Sequence, residues 1–110
     1  EKFDFHNMVC IACEMLKKSL DSMTYGDVLT ATAVIARDDE IDVIHRENYG
    51  KVREMILKHP AEAQYYMDCL TVSRCLERIA DIATNICEDV VYLESGKIVR
   101  HQHEGENNGK

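Results

Sequence analysis

Residues that end regular structure are scarce in this chain, and this scarcity constrains its fold more than any other feature. One proline and five glycines occur in 110 residues. Residue types that favour turns and helix ends are concentrated at residues 24–27 (TYGD) and 58–62 (KHPAE). In the first segment Gly26 can close a helix and Asp27 can cap the next one, and in the second Pro60 suits the first turn of a new helix. So few breaks favour a few long helices over many short strands.

Between these breaks, apolar residues recur at three- and four-residue steps, the period of amphipathic helices. The predicted helices cover roughly residues 4–23, 28–58 and 61–94. Gly96 is predicted to stop the third helix. Long helices with short connections are typical of an antiparallel bundle. The predicted fold class is therefore all-α, an up-down-up three-helix bundle over residues 1–100, followed by a flexible C-terminal tail at residues 101–110 that lacks apolar periodicity.

The charge balance narrows the classes of partner. The chain carries 20 acidic and 13 basic residues, a net charge of −7. Nucleic acids and anionic membrane surfaces need a basic footprint, so an acidic protein is better suited to cations or to basic protein patches. No apolar run approaches the roughly 20 residues that span a bilayer, and no signal peptide is recognisable. We expect neither nucleic-acid binding nor direct membrane insertion.

The cysteines indicate a reducing compartment. Their number is odd, and all of them lie within apolar helical patterns instead of punctuating loops. They are Cys10, Cys13, Cys69, Cys75 and Cys87. A secreted disulfide scaffold shows the opposite habit. We expect a cytoplasmic protein whose thiols act as small core hydrophobes, including the pair in residues 10–13 (CIAC).

A strip of carboxylates follows one side of the third predicted helix. Its members are Glu77, Asp81 and Glu88. Because each helical residue advances about 100°, all three fall between roughly 100° and 140° from Leu76, beside the apolar seam. Thr84 and Asn85 flank the strip with further oxygen donors. Like charges one turn apart repel each other, so this arrangement needs an explanation.

The second predicted helix carries a similar pair. Measured from Ile41, Asp38 falls near 60° and Asp42 near 100°, whereas Asp39 points away at about 160°. His45 continues the same flank. Two helices that should pack together therefore each place an acid-xxx-acid pair at the edge of the seam.

Spacing alone leaves two interpretations of these acids open. Arg74 and Arg78 lie within one turn of Glu77 and Asp81, so the strip can be a solvated ladder of ion pairs, each worth about 0.3–0.5 kcal/mol. The alternative is a metal site, for which hard oxygen ligands favour magnesium, manganese or calcium, and carboxylates also hold iron. The Glu-x-x-His motif of di-iron bundles does not occur in the sequence.

Catalytic motifs are absent from the sequence. Ser73 and Thr84 have no neighbouring base in the sequence, so no activated nucleophile is predicted. No glycine-rich phosphate-binding loop occurs either. The residues therefore give no reason to expect an enzyme.

Three segments resemble the PhoU family of phosphate-uptake regulators. Residues 76–101 (LERIADIATNICEDVVYLESGKIVRH) are similar to the third-helix pattern of that family, which typically reads L-E-R-I-x-D-H-A-x-N-I-A-E-x-V. Residues 38–47 (DDEIDVIHRE) resemble its acidic second-helix motif, and residues 15–23 (MLKKSLDSM) fit its first helix. The resemblance extends over almost the whole predicted bundle.

This resemblance implies an all-helical, non-enzymatic protein of the bacterial cytoplasm. PhoU proteins are built from two copies of a three-helix unit. They act as negative regulators between the phosphate ABC transporter and its sensor histidine kinase, which are the implied partners. Some members bind multinuclear iron or other divalent metal clusters through E/D-xxx-D motifs on the bundle surface.

The family motifs can be carried over residue by residue. The implied metal ligands are Glu77, Asp81, Asp38 and Asp42, with Asn85 and Glu88 at the positions of the pattern that follow. The implied metal is iron, with manganese or magnesium as alternatives. Where the family often has histidine after the motif aspartate, this chain has Ile82, so any role of that imidazole is lost.

The chain has room for one three-helix unit instead of two. It is then half of a longer protein, its C-terminal repeat to judge by the tail that follows, or a single-unit member that forms a homodimer, because a lone unit exposes the surface used against its sister repeat. Two further hypotheses keep the fold: the cytoplasmic domain of a sodium–phosphate cotransporter, and a purely structural oligomerising bundle without metal. No direct phosphate site is expected, because acidic faces repel the anion.

Overall fold

A computed structural model of the chain describes the backbone of residues 3–108 and the side chains of residues 3–97. The elements in chain order are α1 (His6–Tyr25), α2 (Val28–Ala36), α3 (Asp38–Lys58), a 3₁₀ turn (Pro60–Glu62) and α4 (Ala63–Asn108). The described backbone contains no strand. The prediction of an all-α helical bundle is confirmed.

The connection between α1 and α2 has the chemistry that its sequence predicts. Gly26 ends α1 in the left-handed conformation, with φ 62° and ψ 33°. The Glu94 carboxylate of α4 lies beside this glycine, 2.8 Å from where a Cβ would stand, and it is the positive φ that favours glycine here. Asp27 caps α2 by accepting a hydrogen bond from the backbone N–H of Thr30 at 3.1 Å. These two residues therefore fix where α1 ends and α2 begins, and the chain reverses direction between them.

The second predicted helix is interrupted, which corrects the single helix expected over residues 28–58. The backbone N–H of Arg37 donates to Val34 O and that of Glu40 donates to Arg37 O, both at 3.0 Å. These bonds to the third preceding residue tighten the chain locally into a 3₁₀-like turn. Three acids, Asp38, Asp39 and Glu40, form the first turn of α3, where they complement the positive end of the helix dipole. The acidic run is therefore also a helix start.

Helix α4 continues past the predicted stop at Gly96 to Asn108. Gly96 has no positive φ, and a glycine inside a helix costs only about 1 kcal/mol relative to alanine, so it weakens the helix without ending it. The side chains of the predicted tail, residues 101–110, lie outside the described part of the chain. Its flexibility stays a prediction.

Contacts between side chains give the direction of α1 relative to α4. Ser73 Oγ donates to Met8 Sδ at 3.6 Å, and Ser22 Oγ lies 3.9 Å from Cys87 Sγ. Both pairs are 65 residues apart in sequence, so α1 and α4 run in the same direction.

Helix α3 runs the other way along α4. Thr84 Oγ1 lies 3.3 Å from Asp38 Oδ1 near the start of α3, and Asn48 Nδ2 donates to Ser73 Oγ at 3.0 Å further along. Residue numbers fall along α4 as they rise along α3, which makes this pair antiparallel. The acidic start of α3 therefore lies beside the middle of α4.

The main core lies where α1, α2 and α3 meet α4. Its buried members are Met8, Ile11, Ala12, Met15, Ala31, Val34, Ile41, Leu76, Ala80, Ala83, Cys87 and Val90. Fully buried alanines on three of the helices allow the backbones to approach closely. A smaller cluster of Val52, Tyr66 and Cys69 closes the other end of the bundle. Within the described residues, no helix is both long and apolar enough to cross a membrane.

Two details of the predicted core are wrong. The three- and four-residue period of the third predicted helix places Tyr65 and Val72 in its apolar seam. Both are exposed, and their neighbours Tyr66 and Ser73 are buried instead. Among the five thiols, Cys69 and Cys87 are buried, whereas Cys10, Cys13 and Cys75 are exposed. The three exposed cysteines are not core residues.

Candidate metal centre

Three aspartates from two helices meet at the surface between α3 and α4. Asp38 and Asp42 are one turn apart at the start of α3, and Asp81 lies in the middle of α4. Each offers a carboxylate oxygen, and these oxygens lie within 4.8 Å of one another. Asp38 and Asp42 are half-buried, and Asp81 is exposed. We call these three residues the acidic group.

The surroundings of Asp38 shift the pKa of its carboxyl group. Burial raises its pKa above the ordinary value, and the nearby Asp42 and Asp81 carboxylates raise it further. The hydroxyl of Thr84 lies 3.3 Å from Asp38 Oδ1 and acts in the opposite direction. The carboxylates therefore repel one another in a partly desolvated position, and a bound cation would relieve this repulsion.

Glu77 lies one turn before Asp81, beside the acidic group on the side of His45. Its Oε1 atom is 3.9 Å from His45 Nε2. Burial raises the pKa of Glu77, the His45 ring lowers it, and the Asp42 and Asp81 carboxylates raise it. The prediction that Glu77 and Asp81 share a flank with Asp38 and Asp42 matches this arrangement.

The arginine ladder that spacing allowed does not form. Among the side chains of residues 3–97, no ion pair joins Arg74 or Arg78 to Glu77 or Asp81. Arg37, the nearest arginine along the chain to the start of α3, pairs instead with Glu14 and Glu40, at 3.2 and 2.9 Å. The acidic group therefore has no lysine or arginine partner within the described side chains.

Asn85 and Glu88, the two remaining predicted ligands, are both exposed. Glu88 is not among the carboxylates whose oxygens lie within 4.8 Å of one another. Thr84, which we predicted only as a flanking donor, is the residue that reaches Asp38. The structure thus brings Asp38, Asp42 and Asp81 together and places Glu77 beside them.

A buried polar network behind His45 was not predicted. His45 Nδ1 lies 2.8 Å from Ser73 Oγ, and Asn48 Nδ2 donates to the same oxygen at 3.0 Å. The expectation that Ser73 has no base nearby is therefore wrong. Ser73 is fully buried, so no substrate can reach its hydroxyl, and the contact instead holds the imidazole beside Glu77. The sequence signal for this network was Ser73 itself, a polar residue among the apolar residues that α4 buries.

Comparison with known proteins identifies the family. The PhoU domain profile matches residues 5–90. The chain belongs to the PhoU domain family. A relative from Aquifex aeolicus is 37% identical over 93 residues, which cover 84% of this chain and 42% of the relative. A relative from Clostridium acetobutylicum is 32% identical over 85 residues, 77% of this chain and 39% of the relative.

A third relative, from Burkholderia sp, is 36% identical over 94 residues, which cover 83% of this chain and 39% of that relative. All three relatives are described as phosphate-specific transport system accessory protein PhoU homologues. This PhoU domain spans about two-fifths of the length of the curated relatives it matches. No solved structure gives a significant match. The family therefore rests on the sequence comparison, and the helical bundle agrees with it.

The donors of the acidic group fit a divalent cation. Metal–oxygen bonds of about 2.0–2.6 Å place two ligands of one ion at most about 4–5 Å apart, which the 4.8 Å limit satisfies. All three donors are carboxylates, the set that suits magnesium, calcium, manganese and carboxylate-bound iron. The residues present are therefore compatible with the metal that the family resemblance implies.

Proposed function

We propose that this PhoU domain acts in the regulation of a phosphate-uptake system and binds a divalent cation at the acidic group. The relatives are phosphate transport accessory proteins, which supports the first part. The second part rests on one observation: three carboxylate oxygens lie within 4.8 Å of one another without a lysine or arginine partner among the described side chains. The proposed partners are the phosphate ABC transporter and its sensor histidine kinase, and no catalytic step is assigned to the domain.

The proposed ligands of the ion come from both α3 and α4. Asp38 and Asp42 supply two donors from the first turns of α3, and Asp81 supplies the third from α4. Glu77 and His45 lie on one side of this group, where Glu77 can add a further oxygen. Iron is the proposed occupant, with manganese or magnesium as alternatives. The ion supplies the positive charge that these carboxylates otherwise lack.

Such an ion would connect α3 to α4 across the surface of the bundle. Anything that binds the folded state alone stabilises it, so an occupied site makes the position of α3 on α4 more rigid. A regulator that contacts its partners through the bundle surface could then report metal occupancy through this helix pair. No phosphate site is proposed, because the acidic group repels the anion.

Direct titration tests the metal site. We expect wild-type protein to bind Mn²⁺ or Fe²⁺ in anaerobic calorimetry, and the Asp38→Asn/Asp42→Asn double variant to bind at least about 100-fold more weakly, because two of three charged donors are lost. Asp39→Asn is the matched control, since Asp39 lies in the same helical turn but outside the acidic group. Equal binding by the double variant and wild type contradicts the proposed site.

A pull-down tests the regulatory role separately. The tagged protein is expected to retain the phosphate ABC transporter or its sensor kinase from solubilised membranes of the source bacterium. A protein with an intact metal site that captures neither partner contradicts the regulatory role and leaves the metal proposal standing.

A further inference from the structure

One side of α1 carries a histidine and two cysteines that face away from the bundle. They are His6, Cys10 and Cys13, and all three are exposed. Free cysteine is among the most frequently buried residue types, so two exposed cysteines on one side of a helix need a reason. The sequence indicated core thiols at these positions, whereas their exposure makes both sulfur atoms available to a ligand.

The helical period places the three side chains in one narrow sector of α1. Angles are measured here from Met8, whose sulfur contacts Ser73 of α4. His6 falls near 160°, Cys10 near 200° and Cys13 near 140°. The sector is about 60° wide and lies opposite the side of α1 that packs on α4. Cys10 is one turn from each of the other two, where Cβ atoms are about 5–6 Å apart, so the three donors can approach a common point.

Two of the donor atoms meet in the structure. Cys10 Sγ lies 3.7 Å from His6 Nε2. Zinc binds sulfur at about 2.3 Å and imidazole nitrogen at about 2.0–2.1 Å, so two such donors on one tetrahedral ion are about 3.6 Å apart. The observed separation therefore matches that of two ligands of a single zinc ion.

The chain before α1 fixes the position of His6. Asp4 Oδ1 accepts a hydrogen bond from the backbone N–H of His6 at 2.9 Å, which holds the first turn of the helix in place. Cys10 and Cys13 follow within the continuous helix His6–Tyr25. Ligands on a helix are positioned more precisely than ligands on a loop. Much of the ordering of these donors is therefore complete before an ion binds.

The donor types select the class of ion. Thiolates favour zinc and monovalent copper, and imidazole also suits zinc. We propose that His6, Cys10 and Cys13 bind one Zn²⁺, with water in the fourth tetrahedral position. Because the thiolate is the ligand, binding releases the two thiol protons to the solvent. The acidic group, with its oxygen donors on α3 and α4, is a separate site that suits harder ions.

Thiol labelling with and without Zn²⁺ tests this site. The reduced, metal-free chain is treated with iodoacetamide, and mass spectrometry of its peptides follows each cysteine. With excess Zn²⁺, the labelling rates of Cys10 and Cys13 are expected to fall at least about tenfold, because a coordinated sulfur is no longer a free nucleophile. Cys75 is the internal control: it is exposed as well, but it lies on α4, and its labelling rate should stay constant.

Cysteine variants measure the affinity through competition with a chromophoric zinc chelator. Wild-type protein is expected to bind Zn²⁺ with a Kd below about 1 µM, since structural zinc sites with four donors bind more tightly still. Cys13→Ser is expected to raise the Kd at least about 100-fold, because even groups that only orient a metal ligand are worth about 10- to 100-fold in affinity. Cys75→Ser is the matched control and should leave the Kd unchanged. Both replaced side chains are exposed, so both variants keep the core intact.

The outcomes separate a built site from general thiol chemistry. Protection of Cys10 and Cys13 but not Cys75, together with weaker binding by Cys13→Ser, supports the proposal. Labelling of Cys10 and Cys13 that Zn²⁺ does not slow overturns it. Equal protection of all three exposed thiols overturns it as well, because Zn²⁺ then binds any accessible sulfur. Protection of Cys10 without Cys13, or wild-type affinity in Cys13→Ser, contradicts the three-donor arrangement.

Discussion

The two sides of α4 differ in chemistry although they belong to the same turns of one helix. On the side facing α3, Glu77 and Asp81 contribute to a cluster of carboxylates whose repulsion is only partly relieved by His45 and Thr84. On the side beside α1, Val72 and Ile82 leave apolar surface in water. Each side is therefore incomplete in a different way: one lacks positive charge and the other lacks an apolar partner.

The comparison shows that the surplus acids of the third predicted helix are not distributed evenly over its solvent-exposed surface. A solvated helix surface would scatter charge around its outer half and pair it locally, as Lys58 and Glu54 do on α3. In α4, Glu77 and Asp81 lie where α3 meets the helix, and the apolar positions beside α1 between Val72 and Leu93 carry no acid. The proposed cation site is therefore confined to the side of α4 that faces α3.

The largest expected effect comes from the core that both sides share. Ile41→Ala removes a fully buried side chain that holds α3 on α4, and it is expected to lower the free energy of unfolding by about 3 kcal/mol. Val43→Ala, two residues along the same helix but half-exposed, should cost below about 1 kcal/mol. Urea unfolding of both variants measures this. Equal losses would mean that α3 does not pack as described.

Metal binding is expected to have the next largest effect. At a free Mn²⁺ concentration of 100 times the Kd, wild-type protein should gain about 2.7 kcal/mol in free energy of unfolding, because the ion binds the folded state. Urea melts with and without Mn²⁺ measure the gain. Asp81→Asn should show little of it, and Glu88→Gln should keep all of it because Glu88 lies outside the acidic group.

Without metal, the acidic group should destabilise the fold in a pH-dependent way. Because the folded-state pKa of Asp38 is raised above its ordinary value of 3.8, the folded state binds its proton more tightly than the unfolded chain does. The resulting contribution to stability is present at low pH and is lost as the pH rises through the raised pKa. In EDTA at pH 7, Asp38→Asn should therefore be more stable than wild type by about 0.5 kcal/mol.

This advantage of Asp38→Asn should shrink as the pH falls from 7 towards the ordinary pKa of aspartate. Urea melts across that pH range measure the difference, with Asp39→Asn as the control variant. An Asp38→Asn advantage that grows on acidification would show that the carboxylate is stabilised in the folded state instead.

The smallest expected effect concerns Ile82, the position at which the family pattern quoted above has histidine. Ile82 lies on the α1 side of α4, about 100° from Asp81, so an imidazole there does not point into the acidic group. Ile82→His should therefore change the Mn²⁺ Kd by less than about twofold. Calorimetry of this variant measures the change. A tenfold gain in metal affinity would show that the two sides are coupled.

The all-helical bundle and the antiparallel pairing of acids could be predicted from the sequence because both depend on the helical period. Angular positions of Asp38, Asp42, Glu77 and Asp81 follow from 100° per residue, and a short connection makes neighbouring helices antiparallel. The break at Arg37 could not be predicted in this way. No glycine or proline marks it, and the acidic run that begins α3 was interpreted only as a set of ligands.

The rest of the site depended on packing that a single helix cannot reveal. Whether an arginine pairs with an acid one turn away depends on which side chains compete for it, and Arg37 pairs with Glu14 of another helix. The contacts of Ser73 with Asn48 and His45 depend on the register between α3 and α4, which the sequence of a single helix does not give. Pattern therefore predicted which residues share a side, and only the folded chain showed which of them meet.

Two adjacent residues of α4 allow the most direct test, since Asp81 belongs to the acidic group and Ile82 is exposed on the α1 side of the helix. Mn²⁺ stoichiometry should be measured on wild type, Asp81→Asn and Ile82→Glu in parallel. The predicted result is that Asp81→Asn loses Mn²⁺ binding, whereas Ile82→Glu still binds Mn²⁺. Retention of full Mn²⁺ binding by a folded Asp81→Asn protein would contradict the metal site.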